Sequence, residues 1–207
     1  MDINVHTKRD EILRYAKGVV EKEVEGVKQL VDHIDDDYIE AIRLILGCNG
    51  KVVVLGLGKS GHVGKKIAAS FASTGTPAFF VHGDETLHGD LGMIEDKDVV
   101  IVLTNSGETR EIRHGYPTLK QIGCKIISIT AHLDCSVAKQ SDVHLCIGKL
   151  IEADHLNLAP TTSATATLVL GDALALTVSY LKNFTKEKFA LFHPGGSLGK
   201  GLTGKEI

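Results

Sequence analysis

A chain of 207 residues, 43% of them hydrophobic and 24% charged, has the profile of one domain over residues 1–207 that is large enough to bury its own core. A net charge of −3 excludes a chain-wide attraction to nucleic acid or to an anionic membrane, so any anion it binds must be held locally. Cys48, Cys124, Cys135 and Cys146 contain no C-x-x-C pair; this excludes a disulfide framework or a zinc site and reads as the reduced thiols of a cytoplasmic protein.

The N-terminal segment MDINVHTKRDE is charged throughout and lacks the apolar run of an ordinary secretory signal. Leu13, Ala16, Val20, Val24, Val27, Val31 and Ile34 then recur at steps of three and four, which predicts a long amphipathic helix over 8–34 within an N-terminal helical region, 1–48. The near-heptad spacing suits packing on the chain's own sheet and pairing with a partner chain equally well.

Apolar runs follow at VVVLGLG, AFFVHG, VVIVLTNSG, KIISIT and VHLCIG, separated by helical segments near 61–74, 109–122 and 134–140. Continuous apolar strands joined by helices predict an α/β fold, a three-layer αβα sandwich around a five-stranded parallel sheet of flavodoxin-like or Rossmann-like kind. Another helix is expected after Pro160, where Thr161, Thr162 and Ser163 offer capping hydroxyls. The apolar stretch 161–181 contains Gly171, Asp172 and many Thr and Ala, so it reads as a buried helix at the domain centre and not as a membrane span. Residues 185–207 form a glycine-rich tail, expected to be irregular from Phe189 onward.

Ligands of open parallel sheets sit outside the carboxyl ends of the strands, which directs attention to the loops there. In GLGKSG, Gly56, Gly58 and Gly61 satisfy the dinucleotide fingerprint, with Asp84 or Glu85 available to hold a ribose. Lys59 and Ser60, however, put an ammonium and a hydroxyl on the loop, which suits a small anion better than a pyrophosphate pressed against bare backbone. A ligand-free strand-to-helix turn explains the glycines too. The next loop, LTNSGETREI, sets Thr104, Asn105, Ser106 and Thr109 around a glycine at the start of a helix, a hydroxyl-rich phosphate cradle. Two adjacent loops of this kind favour a single phosphomonoester.

GLGKSGHVGKKIAASFASTGTPAFFVHGDETLHGDLGMI, TNSGETREI and FHPGGSLGK together resemble the sugar isomerase (SIS) domain of arabinose 5-phosphate isomerases, over nearly the whole chain from about Val20 onward. TNSGET is general among SIS domains, whereas GKSG, HGDLG and FHPGG in one chain are narrower. The resemblance implies a homotetramer that interconverts D-ribulose 5-phosphate and D-arabinose 5-phosphate, supplying 3-deoxy-D-manno-octulosonate for lipopolysaccharide or capsule.

Aldose–ketose isomerisation through an enediol needs a base, a shuttle for hydroxyl protons and a fixed phosphate. Glu152 follows the fifth apolar run and precedes the capped helix, which puts a carboxylate at the ligand edge as the base, and the resemblance matches it to the family's catalytic glutamate. By resemblance, His193 opens the sugar ring and shuttles protons, reaching across to a neighbouring subunit from a glycine-rich tail. Lys59 and Glu111 match catalytic positions as well. Gly58, Ser60, His88, Thr104, Asn105, Ser106 and Thr109 are the expected substrate-binding residues. No cofactor and no required metal are expected; the spacing of His82 and His88 is too irregular for a helical metal pair, and with His193 they would at most capture a stray transition metal.

Other readings stand beside this one: an isomerase of a hexulose or heptose phosphate, a non-catalytic sugar-phosphate sensor, and the dinucleotide oxidoreductase of the fingerprint. The sensor lacks a basic helix-turn-helix segment in the acidic N-terminal helix. Family members commonly continue into a pair of cystathionine-β-synthase-type regulatory modules, whereas this sequence stops at Ile207, as a minimal form or a truncation would. Feedback is then expected on the isomerase domain itself, with the cytidine monophosphate ester of 3-deoxy-D-manno-octulosonate (CMP-3-deoxy-D-manno-octulosonate) as effector, competing for the anion cradle.

Overall fold

In the computed structural model, which describes residues 5–194, the five apolar runs become β1 (Val52–Gly56), β2 (Ala78–His82), β3 (Val99–Leu103), β4 (Lys125–Thr130) and β5 (Val143–Cys146), all parallel, in the order β2-β1-β3-β4-β5. Every residue of β1 and β3 is buried, and that removes the polar alternation of a one-sided sheet. The α-helices are α1 (Arg9–Gln29), α2 (Asp36–Leu46), α3 (Gly58–Ser73), α4 (Arg110–Ile122), α5 (Ser136–Gln140), α6 (Thr162–Leu181) and α7 (Lys186–Phe192). Val52, Val54, Ile101 and Leu103 pack beneath α2, α3 and α6, while Val53, Leu55, Val100 and Val102 meet α4 and α5 on the other face. Each such side chain contributes about 1.5–3 kcal/mol by leaving water.

The order reverses direction between β1 and β3, so one chain connection leaves toward each face and a crevice opens outside the strand ends. Gly56 pairs in register with Leu103, which sets the loops after β1 and β3 side by side at one level. The site described below occupies this crevice.

The predicted long N-terminal helix over 8–34 is present, helical from Arg9 to His33 with its last turn tightened. Its α-helical part ends at Gln29 in a 3-10 turn, Leu30–His33, and the chain restarts as α2, whose N-cap Asp35 accepts hydrogen bonds from the N–H groups of Asp37 and Tyr38. An Asp followed by two further acids and then Tyr38, Ala41, Ile42 and Ile45 carries the start signal of this second helix, which lies within the expected helical region 1–48. The tail departs from expectation: residues 186–192 are helical, with the Thr185 hydroxyl accepting from the N–H of Lys188. Residues from 195 onward lie outside the described residues.

The helix over Thr162–Leu181 is long and apolar enough to cross a membrane by length and composition. It is not wholly buried at the domain centre as the sequence suggested. One side packs on α3 and α1, while Leu176 and Tyr180 stand 58% and 82% exposed on the other. Apolar side chains on every side of one helix need cover on every side, and the sheet supplies it on one. The four cysteines are free thiols, with Cys124 and Cys135 buried.

At the opposite edge of the sheet Asp98 is buried, and its carboxylate accepts from the N–H of Lys51 at 2.7 Å and that of Glu95 at 2.9 Å. Asp98→Ala is expected to cost about 2 kcal/mol in urea denaturation by leaving two N–H groups without partners, with the properties of the distant crevice unchanged.

Candidate active site

The turn after β1 explains its own glycines. A Cβ on Gly56 would sit 3.0 Å from the Ser60 carbonyl oxygen, and one on Gly61 would meet the Gly56 carbonyl at 3.2 Å, so close approach of strand and helix demands both. The helix starts at Gly58, three residues before the sequence suggested, and Lys59 and Ser60 therefore lie in its first turn. The fingerprint is thus a packing requirement of the turn before it is anything else.

The loop after β3 is braced from the side facing away from the crevice. Gly107 adopts φ +68° against Cys135, and its carbonyl accepts from the N–H of Val137. Glu108 accepts from the N–H of Ser136 at 2.7 Å and from its hydroxyl at 2.8 Å, and pairs with Arg113 at 3.2 Å. The two Ser136 bonds, aided by Arg113, hold the Glu108 carboxyl below its ordinary value. Within the loop, the Thr104 and Thr109 hydroxyls bond each other at 2.8 Å, and Ser106 Oγ accepts from the Glu108 N–H at 3.1 Å. Sequence reading singled out the hydroxyls and passed over Glu108, although it stands inside the same motif.

These two loops and the start of α6 enclose a cavity of about 300 Å³. Lys59 and Ser60 come from α3, Thr104, Asn105, Ser106 and Thr109 from the second loop, and Ser163, Ala164 and Thr167 from α6. The N-terminal turns of α3 and α4 border this space, an arrangement that favours an anion, whereas the first N–H groups of α6 are taken up by Glu152. The volume suits a small phosphorylated metabolite and falls at the low end of small-molecule sites.

Glu152 does not line the cavity; it stands directly behind Ser163. Its Oε2 accepts from the Thr161 N–H at 2.8 Å, the Thr161 hydroxyl at 3.1 Å and the Ser163 N–H at 3.3 Å, while its Oε1 accepts from the Ser163 hydroxyl. The expected hydroxyl cap of α6 is therefore replaced: Thr161 makes no side-chain cap, and the carboxylate serves that end instead. Asn157, at φ +55°, folds the intervening loop back, its side-chain oxygen accepting from the Glu152 N–H at 2.7 Å.

Gly58 begins α3 between the lining residues Leu57 and Lys59 and is not itself part of the lining. Glu111, His88 and His193 lie outside the lining as well. Glu111 is half-buried in the first turn of α4, and His88 is exposed at the end of the 3-10 turn Glu85–His88, against which α4 packs. His193 lies past the far end of α6, roughly 30 Å along a 20-residue helix at ~1.5 Å per residue. There Phe184 packs on Gly75 and stacks with Phe192, and His193 Nδ1–H donates to the Phe189 carbonyl at 2.8 Å. His193 does not reach the cavity of its own chain. Among the described residues no group of three His, Cys, Asp or Glu side chains is arranged to hold a metal, and His82 pairs with Asp84 at 3.8 Å.

Residues 45–177 match the SIS domain family. The chain is 53% identical over 186 residues to an arabinose 5-phosphate isomerase, KdsD, of Yersinia pestis, covering 90% of this chain and 57% of that one. It is 50% identical over 192 residues to the protein of the same name from Pseudomonas aeruginosa, covering 93% and 59%. The chain thus spans less than two thirds of the length of these relatives. A solved structure from E. coli CFT073, in complex with arabinose 5-phosphate, superposes with a TM-score of 0.87 at 45% identity, covering 89% of this chain and 98% of that one.

Proposed function

This chain belongs to the SIS domain family, and from that membership we propose that it is an aldose–ketose isomerase interconverting D-ribulose 5-phosphate and D-arabinose 5-phosphate. The observation that carries the reading is the pairing of a hydroxyl-lined cavity at the N-termini of α3 and α4 with a buried carboxylate, Glu152, directly behind its α6 wall. The former suits a phosphate and the latter suits proton transfer. The choice of a pentose phosphate rests on the relatives of that name and on the arabinose 5-phosphate held by the E. coli neighbour.

In this reading the phosphate sits among Ser60, Ser106 and the N–H groups of the first turns of α3 and α4, with Lys59 offsetting charge on the phosphate or on the enediolate. Glu152 is the base of this reading, with Oε1, the oxygen that carries the single bond from Ser163, on the side of the cavity wall. His193 enters from a second copy, because its own cavity is out of reach. The exposed Leu176 and Tyr180 of α6 and the exposed Val20 and Val24 of α1 supply apolar surface for such assembly, read as a homotetramer in the cytoplasm. Glu111 and His88 keep the roles that the resemblance assigns them, near the α4 end of the crevice and outside its lining. The product feeds 3-deoxy-D-manno-octulosonate synthesis, whose CMP ester competes for the same anion donors.

Purified chain assayed against C5 to C7 phosphosugars, with and without chelator, tests the assignment. Turnover of the pentose phosphates that survives chelation is expected. Turnover confined to a hexulose or heptose phosphate, or lost to chelator and restored only by metal, would replace it. Ser106→Ala is expected to raise KM roughly tenfold or more with little change in kcat, since a bond to a charged phosphate contributes about 1.5–3 kcal/mol. A fall in kcat alone would move Ser106 from anchor to chemistry.

A further inference from the structure

We propose that Ser163 orients the substrate as an obligate hydrogen-bond acceptor, taking a bond from a sugar hydroxyl, and that Glu152 imposes this role on it. The proposal deepens the sugar-phosphate reading above and rests on it. Ser163 is 5% exposed, faces the cavity and donates its one hydroxyl proton to Glu152 Oε1. A carboxylate offers only acceptors, so that proton is committed, and what Ser163 keeps for the cavity is lone pairs.

Glu152 cannot readily release the proton by turning away. Its other oxygen is held by the Thr161 N–H, the Thr161 hydroxyl and the Ser163 N–H, and its own N–H is held by Asn157. The facing wall has the opposite character: the N-terminal ends of α3 and α4 present N–H donors, and Lys59 adds a cation. A phosphate dianion, which only accepts, finds partners on that wall and none at Ser163, where the carboxylate behind adds like charge. A polyol hydroxyl can donate and so fits Ser163. The cavity is therefore polarised along one axis, phosphate toward α3 and α4 and polyol toward α6. This brings the carbon chain, and not the phosphate, to the Ser163 wall, behind which Glu152 stands.

Calorimetric titration of the whole chain with two probes tests this. The probes are inorganic phosphate and D-arabinitol 5-phosphate, the reduced sugar phosphate, which keeps the hydroxyls and cannot isomerise. Ser163→Ala is expected to weaken the pentitol phosphate roughly tenfold, the worth of one hydrogen bond, while phosphate affinity stays within about twofold. Retained phosphate binding also certifies the fold of the variant. Ser163→Thr, which keeps the hydroxyl, should bind both probes within about threefold of the parent chain. Equal loss of both probes in Ser163→Ala would assign Ser163 to the phosphate anchor, and an unchanged pentitol phosphate affinity would remove the contact; either overturns the proposal, as does selective loss of the pentitol phosphate in Ser163→Thr. A parent chain that binds phosphate but not the pentitol phosphate sinks both this proposal and the sugar-phosphate reading. One that binds the pentitol phosphate without isomerising any sugar phosphate sinks the catalytic reading alone.

Discussion

Glu152→Gln is expected to lower kcat about 10²-fold or more, with a much smaller change in KM, because it removes a base while leaving the phosphate wall of the cavity intact. The capping geometry makes this a cleaner substitution than truncation. Gln keeps one acceptor oxygen for the N–H groups of Thr161 and Ser163, whereas Glu152→Ala removes every acceptor from the start of α6. Loss of a helix cap costs about 1 kcal/mol, so Ala should lower the melting temperature as well as the rate, and Gln the rate far more than the melting temperature. Steady-state kinetics and thermal melts on both variants check it. If Gln retains most of the activity of the parent chain, Glu152 is a helix cap and the base must be sought elsewhere, with Glu111 the next carboxylate to replace.

The strands and their order of use were legible because burial on both faces leaves an unmistakable trace: VVVLG and VVIVL admit no polar residue, and each is followed by the glycine or hydroxyls of a ligand loop. The phosphate wall was legible for the same reason, since its residues are neighbours in sequence on two short loops. Ser163 is different. Its hydroxyl was read as a cap for α6, and nothing local reveals that a glutamate eleven residues earlier takes over that task. That depends on Asn157 turning the loop at positive φ and on Asp154 gathering the N–H groups of Leu156, Leu158 and Ala159, contacts whose outcome is geometric. His193 illustrates the same limit at a larger scale. Its motif is visible in the sequence, but its separation from the cavity of its own chain follows from the length and direction of α6.

The break after α1 has a related cause. Val31 and Ile34 continue the apolar spacing of the helix to its end near His33, yet both are exposed, so the stripe there reports surface that the described chain does not cover. Asp35, with its side chain on the N–H groups of Asp37 and Tyr38, decides that boundary locally.

Gly107→Ala is expected to be the most damaging small substitution in the site. The backbone there has φ +68°, which costs an L-residue about 1–2 kcal/mol. The added methyl would also lie 2.1 Å from Cys135 Sγ and 2.6 Å from its Cβ, a contact that overpacks the junction with α5 by about 1–3 kcal/mol. Together these predict a loss of about 2–5 kcal/mol in urea denaturation. The damage should reach function as well as stability, because Gly107 lies between Ser106 and Glu108, and moving its backbone disturbs the bond from the Glu108 N–H that aims the Ser106 hydroxyl. Inorganic phosphate should therefore bind roughly tenfold or more weakly to the fraction that folds, as expected when a donor is displaced by about 1 Å. Cys135→Ala separates the two causes. It removes the sulfur and leaves the Cβ and the positive φ, so Gly107→Ala measured in that background should cost about 1 kcal/mol less than in the parent chain. An undiminished cost would assign the whole effect to the backbone, and a loss below about 1 kcal/mol in either background would mean that the loop relaxes away from α5 without penalty.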